Sequence, residues 1–184
     1  QAQGQGGSFL QVTAARAAAA RAPGAWVIHC DGSAWPNHGR MGLGAVLTGP
    51  DGTVHHRISE ATGITGCNNE AELRALLRAL QWLEALKGPA AAATTAVQVF
   101  SDSSVLVEQL APPPGARIVD PIARLAPLLD EARTVLQRFA QVDLRWVPRH
   151  RNGAADALAR AALGLAPKAA IPAGRGKNGK RRRR

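Results

Sequence analysis

Apolar residues recur along this chain with two different periods. Five short apolar runs, at 26–30, 43–48, 54–58, 96–100 and 142–147, have strand length and are bounded by Gly, Pro, Asp and Ser, which predicts five strands. Pro50-Asp51-Gly52 between the second and third is a hairpin turn signal, so those two strands are expected to be antiparallel. Helical spacing takes over at Asn68-Asn69. Leu73, Leu76, Leu77, Leu80 and Leu83 share one face, Glu70, Arg74, Arg78, Gln81 and Glu84 fill the other, and Gly88-Pro89 ends the helix. Shorter helices are expected over 105–110, from Pro121 to about Phe139 with a kink or delayed start at Pro127, and over 154–163. A strand, a helix and another strand in this order imply a right-handed crossover and parallel pairing, which sets the 96–100 strand beside the 26–30 strand.

Charge divides the chain. The net charge is +10, but residues 165–184 hold eight basic side chains and no acid, and without them it falls to +2. A run such as Gly-Lys-Asn-Gly-Lys-Arg-Arg-Arg-Arg cannot bury apolar surface, so 165–184 reads as a disordered basic tail. Its Lys177, Lys180, Arg181, Arg182, Arg183 and Arg184 would make phosphate contacts without sequence preference. Residues 1–23, rich in Gln, Gly, Ala and Arg, read as a disordered or weakly helical extension, which leaves 24–164 as the folded domain. No apolar run approaches the roughly 18 to 20 residues needed to span a bilayer, and no basic-then-apolar leader opens the chain. Those features predict a cytoplasmic protein that does not engage a membrane. Cys30 and Cys67 lack zinc-site spacing and read as buried thiols, with pairing between them left open. His55 and His56, adjacent on a strand, point to opposite faces and read as surface residues rather than a metal site.

Four acids stand out by position. Asp31 and Asp102 follow apolar strand runs, while Glu72 and Asp156 fall in first helical turns. Taken alone, an Asp before Gly-Ser is ordinary turn chemistry, and an acid near a helix start is ordinary dipole complementation. Brought together, four carboxylates would repel and raise one another's pKa unless cations occupied the site. Hard oxygen donors suit Mg²⁺ or Mn²⁺, and a two-metal centre in phosphodiester cleavage is one chemistry that needs so many carboxylates.

The motifs around those acids resemble the type 1 ribonucleases H. Asp31-Gly32-Ser33 with Asn37, Gly39, Gly42 and Gly44 looks like that family's first-strand motif and glycine-rich turn. Cys67-Asn68-Asn69-Glu70-Ala71-Glu72-Leu73 looks like its Asn-Asn-x-x-Glu-Leu helix start, so Glu72 rather than Glu70 inherits the catalytic role. Ser101-Asp102-Ser103 resembles the third-acid motif, and Trp146-Val147-Pro148-Arg149-His150 with Asp156-Ala157-Leu158-Ala159 resembles the final segment. Four motifs in order on the expected kinds of element, across roughly 25–163, make the likeness specific.

The resemblance implies an α/β ribonuclease H-like fold: a five-stranded mixed sheet, its first three strands antiparallel and the rest parallel, flanked by helices. It implies an endonuclease that cuts the RNA strand of RNA–DNA hybrids and leaves 5′-phosphate and 3′-hydroxyl ends. Asp31, Glu72, Asp102 and Asp156 would hold two Mg²⁺ ions, with Mn²⁺ a possible substitute, and His150 would assist proton transfer or product release from a mobile loop. Gly32, Ser33, Asn37, Asn68, Asn69, Ser104, Arg149 and Arg151 are the expected substrate contacts, the asparagines facing the minor groove where 2′-hydroxyls distinguish RNA. Ser104 stands where many members carry Gln, His150 and Asp156 are closer in sequence than in the best-known bacterial members, and no basic protrusion lies between Asp102 and Trp146. The expected state is a monomer with no obligatory protein partner. The rival readings are a catalytically silent hybrid- or double-stranded-RNA-binding module, and a DNA-acting nuclease of the same superfamily.

Overall fold

The computed structural model of the protein describes residues 24–117 and 122–168. The expectations for 1–23, for Pro121 and for 169–184, including Lys177, Lys180 and Arg181 to Arg184, lie outside the described residues.

Five strands form one sheet: β1 (Trp26–Trp35), β2 (Gly39–Thr48), β3 (Val54–Gly66), β4 (Ala96–Ser101) and β5 (Gln141–Trp146), in the order β3-β2-β1-β4-β5. β1–β2 and β2–β3 pair antiparallel; β1–β4 and β4–β5 pair parallel. The mixed topology expected from the resemblance is therefore the observed one, with β1 in the middle. Helix α1 (Asn68–Lys87) buries the Leu73, Leu76, Leu77, Leu80 and Leu83 stripe, each leucine contributing about 1.5–3 kcal/mol relative to exposure. After the single turn α2 (Pro89–Ala92) come α3 (Ser104–Leu110), α4 (Ala126–Leu136) and α5 (Gly153–Ala162).

Glycines set how closely the helices approach the sheet. A Cβ on Gly32 would meet the α1 backbone at Ala71 C, 2.0 Å away, while one on Gly44 would meet Ala155 O of α5 at 2.1 Å and one on Gly42 would meet Ala159 O at 2.3 Å. Gly44 and Gly42 are the cross-strand partners of Asp31 and Ser33, the residues flanking Gly32. Successive strand residues face opposite sides, so α1 and α5 clamp the middle of the sheet from its two faces at the level of Asp31.

Several boundaries differ from those expected, each for a tertiary reason. β1 continues five residues past Cys30 through pairing with β2 as far as Trp35↔Arg40, so Asp31 is mid-strand rather than at a strand's end. Gly39, Gly42 and Gly44 consequently belong to β2, not to a glycine-rich turn. β3 runs to Gly66, beyond the expected Ile58, because β2 offers it partners as far as Gly39. Pro127 delays α4 as expected: a 3₁₀ turn (Ala123–Leu125) precedes it and Pro127 falls in the first helical turn, where its missing N–H leaves no bond unmade. The helix ends at Leu136 rather than near Phe139.

Candidate active site

Each of the four acids is placed by a different element. Asp31 sits on β1 two residues past His29, its last parallel pair with β4, so the neighbouring strand has ended and the carboxylate borders a gap. Asp102 follows the last residue of β4. Its backbone carbonyl accepts from Trp146 Nε1 at 3.2 Å, and the next residue, Ser103, caps α3 by accepting from Leu106 N at 3.2 Å. Glu72, expected in the first turn of α1, instead opens its second turn, the first-turn acid being Glu70, and is carried inward by the leucine face beside it, ending 8 % exposed. Asp156 lies in the first turn of α5.

One carboxylate oxygen each from Asp31, Glu72 and Asp102 lies within 4.8 Å of the other two. They floor a cleft of about 330 Å³ that Asp156, Arg149, Lys168, Gly32, Ser33, Asn68, Asn69, Ser103 and Ser104 also line. Burial raises the Asp31 pKa to about 7, with Asp102 and Asp156 adding to the rise and a hydrogen bond shared with Glu72 opposing it. Glu72 is pushed well above the usual carboxylate range, first by burial and then by the charges of Asp31 and Asp102. Asp102 is raised by burial, while Arg149 and Lys168 pull it back. The buried Glu72 Oε2 has no hydrogen-bond partner. Crowded carboxylates with raised pKa values and an orphaned buried oxygen form a donor set short of positive charge, which suits hard divalent cations.

The expected substrate residues divide into two groups. Asn68 does not cap its own helix: α1 is capped at Cys67 without a side-chain bond. Its Oδ1 instead accepts from Ala34 N at 2.8 Å, while its N–H donates to Asn37 Oδ1 at 3.1 Å. These two asparagines tie the β1–β2 hairpin to the start of α1, and Asn37 is not among the residues lining the cleft. Arg149, His150 and Arg151 form one 3₁₀ turn rather than a loop. Arg149 lines the cleft, whereas His150 and Arg151 are exposed and do not.

Cys30 is fully buried, and burial raises its thiol well above the ordinary range. Cys67 is only half-buried and accepts from Arg124 Nη2 at 3.0 Å; both cysteines are free. His55 and His56 do face opposite sides, against Trp26 and Trp82 respectively.

Two residues absent from the motif reading help build the site. Asn152, 1 % exposed, donates from Nδ2 to Cys30 O at 2.9 Å and accepts Asp156 N at 3.1 Å through its backbone carbonyl. It fastens the start of α5 to β1 beside Asp31. The sequence signal was present: an Asn directly before a helix that opens with Gly-Ala-Ala, a position usually read as a cap. Lys168 pairs with Asp156 Oδ1 at 3.0 Å, and no local periodicity links a tail lysine to an acid twelve residues earlier.

The reverse transcriptase-like family pattern matches residues 29–162. Among curated proteins, the chain is 34 % identical over 145 residues to the bifunctional protein Rv2228c of Mycobacterium tuberculosis and, equally, to the uncharacterized protein Mb2253c of Mycobacterium bovis. The match covers 78 % of this chain but 37 % of those longer relatives. Among solved structures, the N-terminal RNase H domain of Rv2228c, determined as a maltose-binding-protein fusion, is 33 % identical with a TM-score of 0.62, covering 75 % of this chain and 98 % of that one. RNase H1 of the archaeon Halobacterium salinarum NRC-1 is 30 % identical with a TM-score of 0.66, covering 77 % and 98 %. LC11-RNase H1, isolated from compost by a metagenomic approach, is 28 % identical in its RNA/DNA hybrid complex, with a TM-score of 0.65 and coverage of 76 % and 96 %. With the sheet order, the helix clamp and the acid-floored cleft all in place, this chain belongs to the reverse transcriptase-like family as a type 1 ribonuclease H-like protein.

Proposed function

We propose that the chain is an endonuclease hydrolysing the RNA strand of RNA–DNA hybrids. The observation that carries this reading is the convergence of Asp31, Glu72 and Asp102 within 4.8 Å, with Asp156 lining the same cleft. A module that only bound a polyanion would gain nothing from four carboxylates facing it, since without cations they repel it. The solved relative captured on an RNA/DNA hybrid supports the choice of substrate.

Asp31, Glu72, Asp102 and Asp156 would hold two Mg²⁺ ions, or Mn²⁺, with Asp31 shared. Bound there, the ions would supply an activated water and charge stabilisation for the departing oxygen. The rest of the chemistry falls to the chain. Arg149 on the cleft wall would neutralise a backbone phosphate and hold the strand in register. Gly32, Ser33, Asn68, Asn69 and Ser104, also at the cleft, would meet the RNA strand where a 2′-hydroxyl can donate and accept. Asn37 would act through Asn68, which it holds in place. His150 and Arg151, exposed on the turn with Arg149, would reach a strand lying across the cleft mouth, where the imidazole would assist proton transfer or product release. The folded domain is 24–164 with 165–168, expected as part of the free tail, docked back onto it; the rest of the basic tail would add phosphate contacts, and the protein would work as a cytoplasmic monomer. None of the helices is long and apolar enough to cross a membrane among the described residues.

Hydrolysis of an end-labelled RNA–DNA hybrid in Mg²⁺, compared between the unaltered chain and Asp31→Asn, tests the proposal. Cleavage of the RNA strand by the first and not the second is expected. Absence of cleavage by the unaltered chain, or equal cleavage by both, refutes it.

A further inference from the structure

Lys168 belongs to no motif, yet its ammonium is in the acid cleft. The chain reaches that position by turning back after α5. Gly164 takes a positive φ of 72°, Leu165 N donates to Arg160 O at 3.0 Å, and Arg160 Nε donates to Ala166 O at 2.7 Å. Two residues later, Lys168 Nζ donates to Asp156 Oδ1 at 3.0 Å. The Lys168 side chain is 55 % exposed, so it could be solvated by water alone, whereas Asp156 is only 15 % exposed. The reversal therefore delivers a flexible cation to a confined acid.

Asp156 is not an isolated partner. It adds negative potential to both Asp31 and Asp102, and Lys168 lines the same cleft as all three. A lysine is a compact charge on a flexible stem that can occupy a carboxylate and leave it. A divalent ion seeking the Asp156 oxygens meets an ammonium already on one of them.

We propose that residues 164–168 form a strap holding Lys168 as an internal counter-ion on Asp156, where it competes with a divalent ion, so that metal enters fully only when Lys168 withdraws. This rests on the divalent-metal reading of the cleft given above. The strap raises the metal concentration at which the site fills and keeps the acid cluster partly neutralised until then.

Calorimetric titration of the full chain with Mn²⁺ at low ionic strength tests the strap without requiring turnover. Lys168→Ala is expected to bind Mn²⁺ about two- to fivefold tighter, the change that corresponds to freeing an exposed ion pair. Lys168→Arg is expected to stay near the unaltered chain. Gly164→Val, which keeps every charge but penalises the positive φ on which the chain reversal depends, should shift in the same direction as Lys168→Ala. Unchanged or weaker binding by Lys168→Ala overturns the proposal, as does a tightened Lys168→Ala beside an unshifted Gly164→Val, because charge alone would then explain the effect. If the unaltered chain binds no Mn²⁺ that Asp31→Asn abolishes, the metal reading falls with it; if it does bind, a failure at Lys168 concerns the strap alone.

Discussion

Asp31→Asn should stabilise the metal-free protein while disabling the site. The native Asp31 pKa is raised from 3.8 to about 7, so folding at pH 8 forces a buried carboxylate to ionise at a cost of up to about 4 kcal/mol. The sign follows from linkage. An acid whose pKa is raised on folding binds its proton more tightly in the native state. Its stabilising effect is complete below the unfolded pKa, near 4, and is lost as pH rises through about 7. Asn is neutral throughout and its Oδ1 can still accept Gly32 N, as Asp31 Oδ1 does at 3.0 Å. Allowing for relaxation of the neighbouring acids, the gain at pH 8 in EDTA should be about 2 to 4 kcal/mol, or roughly 5 to 12 °C in Tm for a chain of this size. At pH 4.5 it should shrink to about 1 kcal/mol. In saturating Mg²⁺ the order should reverse, because only the unaltered chain gains from binding the ion. Urea unfolding at the two pH values, with EDTA or Mg²⁺, measures all three quantities. A variant no more stable than the unaltered chain at pH 8 in EDTA, or one whose advantage does not change with pH, would refute the account of Asp31 as a carboxylate strained by burial and like charge.

Other substitutions probe how the acids are positioned. Gly32→Ala drives a Cβ to 2.2 Å from Glu72 N; a drop of about 3 kcal/mol in chemical denaturation is expected, with hybrid cleavage falling further than stability explains as α1 carries Glu72 away. Asn152→Ala removes the bond to Cys30 O and should cost about 1–3 kcal/mol, while weakening Mn²⁺ binding because Asp156 is then no longer held at a fixed distance from Asp31. Removing residues 174–184 should weaken hybrid binding and flatten its dependence on salt, by about 0.9 in the log–log slope for each phosphate the tail no longer neutralises, while sparing turnover at saturating substrate; an unchanged slope in a binding titration would count against a role for the tail.

The sequence alone determined the kinds and order of elements and marked the four acids. Hydrophobic period is a short-range property: the leucine stripe of α1 and the five apolar strand runs state how each segment must lie against a core, whatever that core is. The motifs likewise marked Asp31, Glu72, Asp102 and Asp156, because Asp31 and Asp102 adjoin Gly-Ser and Ser-Ser while Glu72 and Asp156 stand three residues after Asn-Asn and Asn-Gly. Tertiary structure decided what lies between distant residues. Asp31 is mid-strand because β2 pairs on to Arg40. Gly32, Gly42 and Gly44 are glycines because two helices press on the sheet from opposite faces, not because a turn requires them. Asn68 reaches back to Ala34, Asn152 to Cys30 across 122 positions, and Lys168 to Asp156. Each of those bonds depends on where a remote backbone atom or carboxylate comes to rest, and only the packed fold brings them within hydrogen-bonding distance.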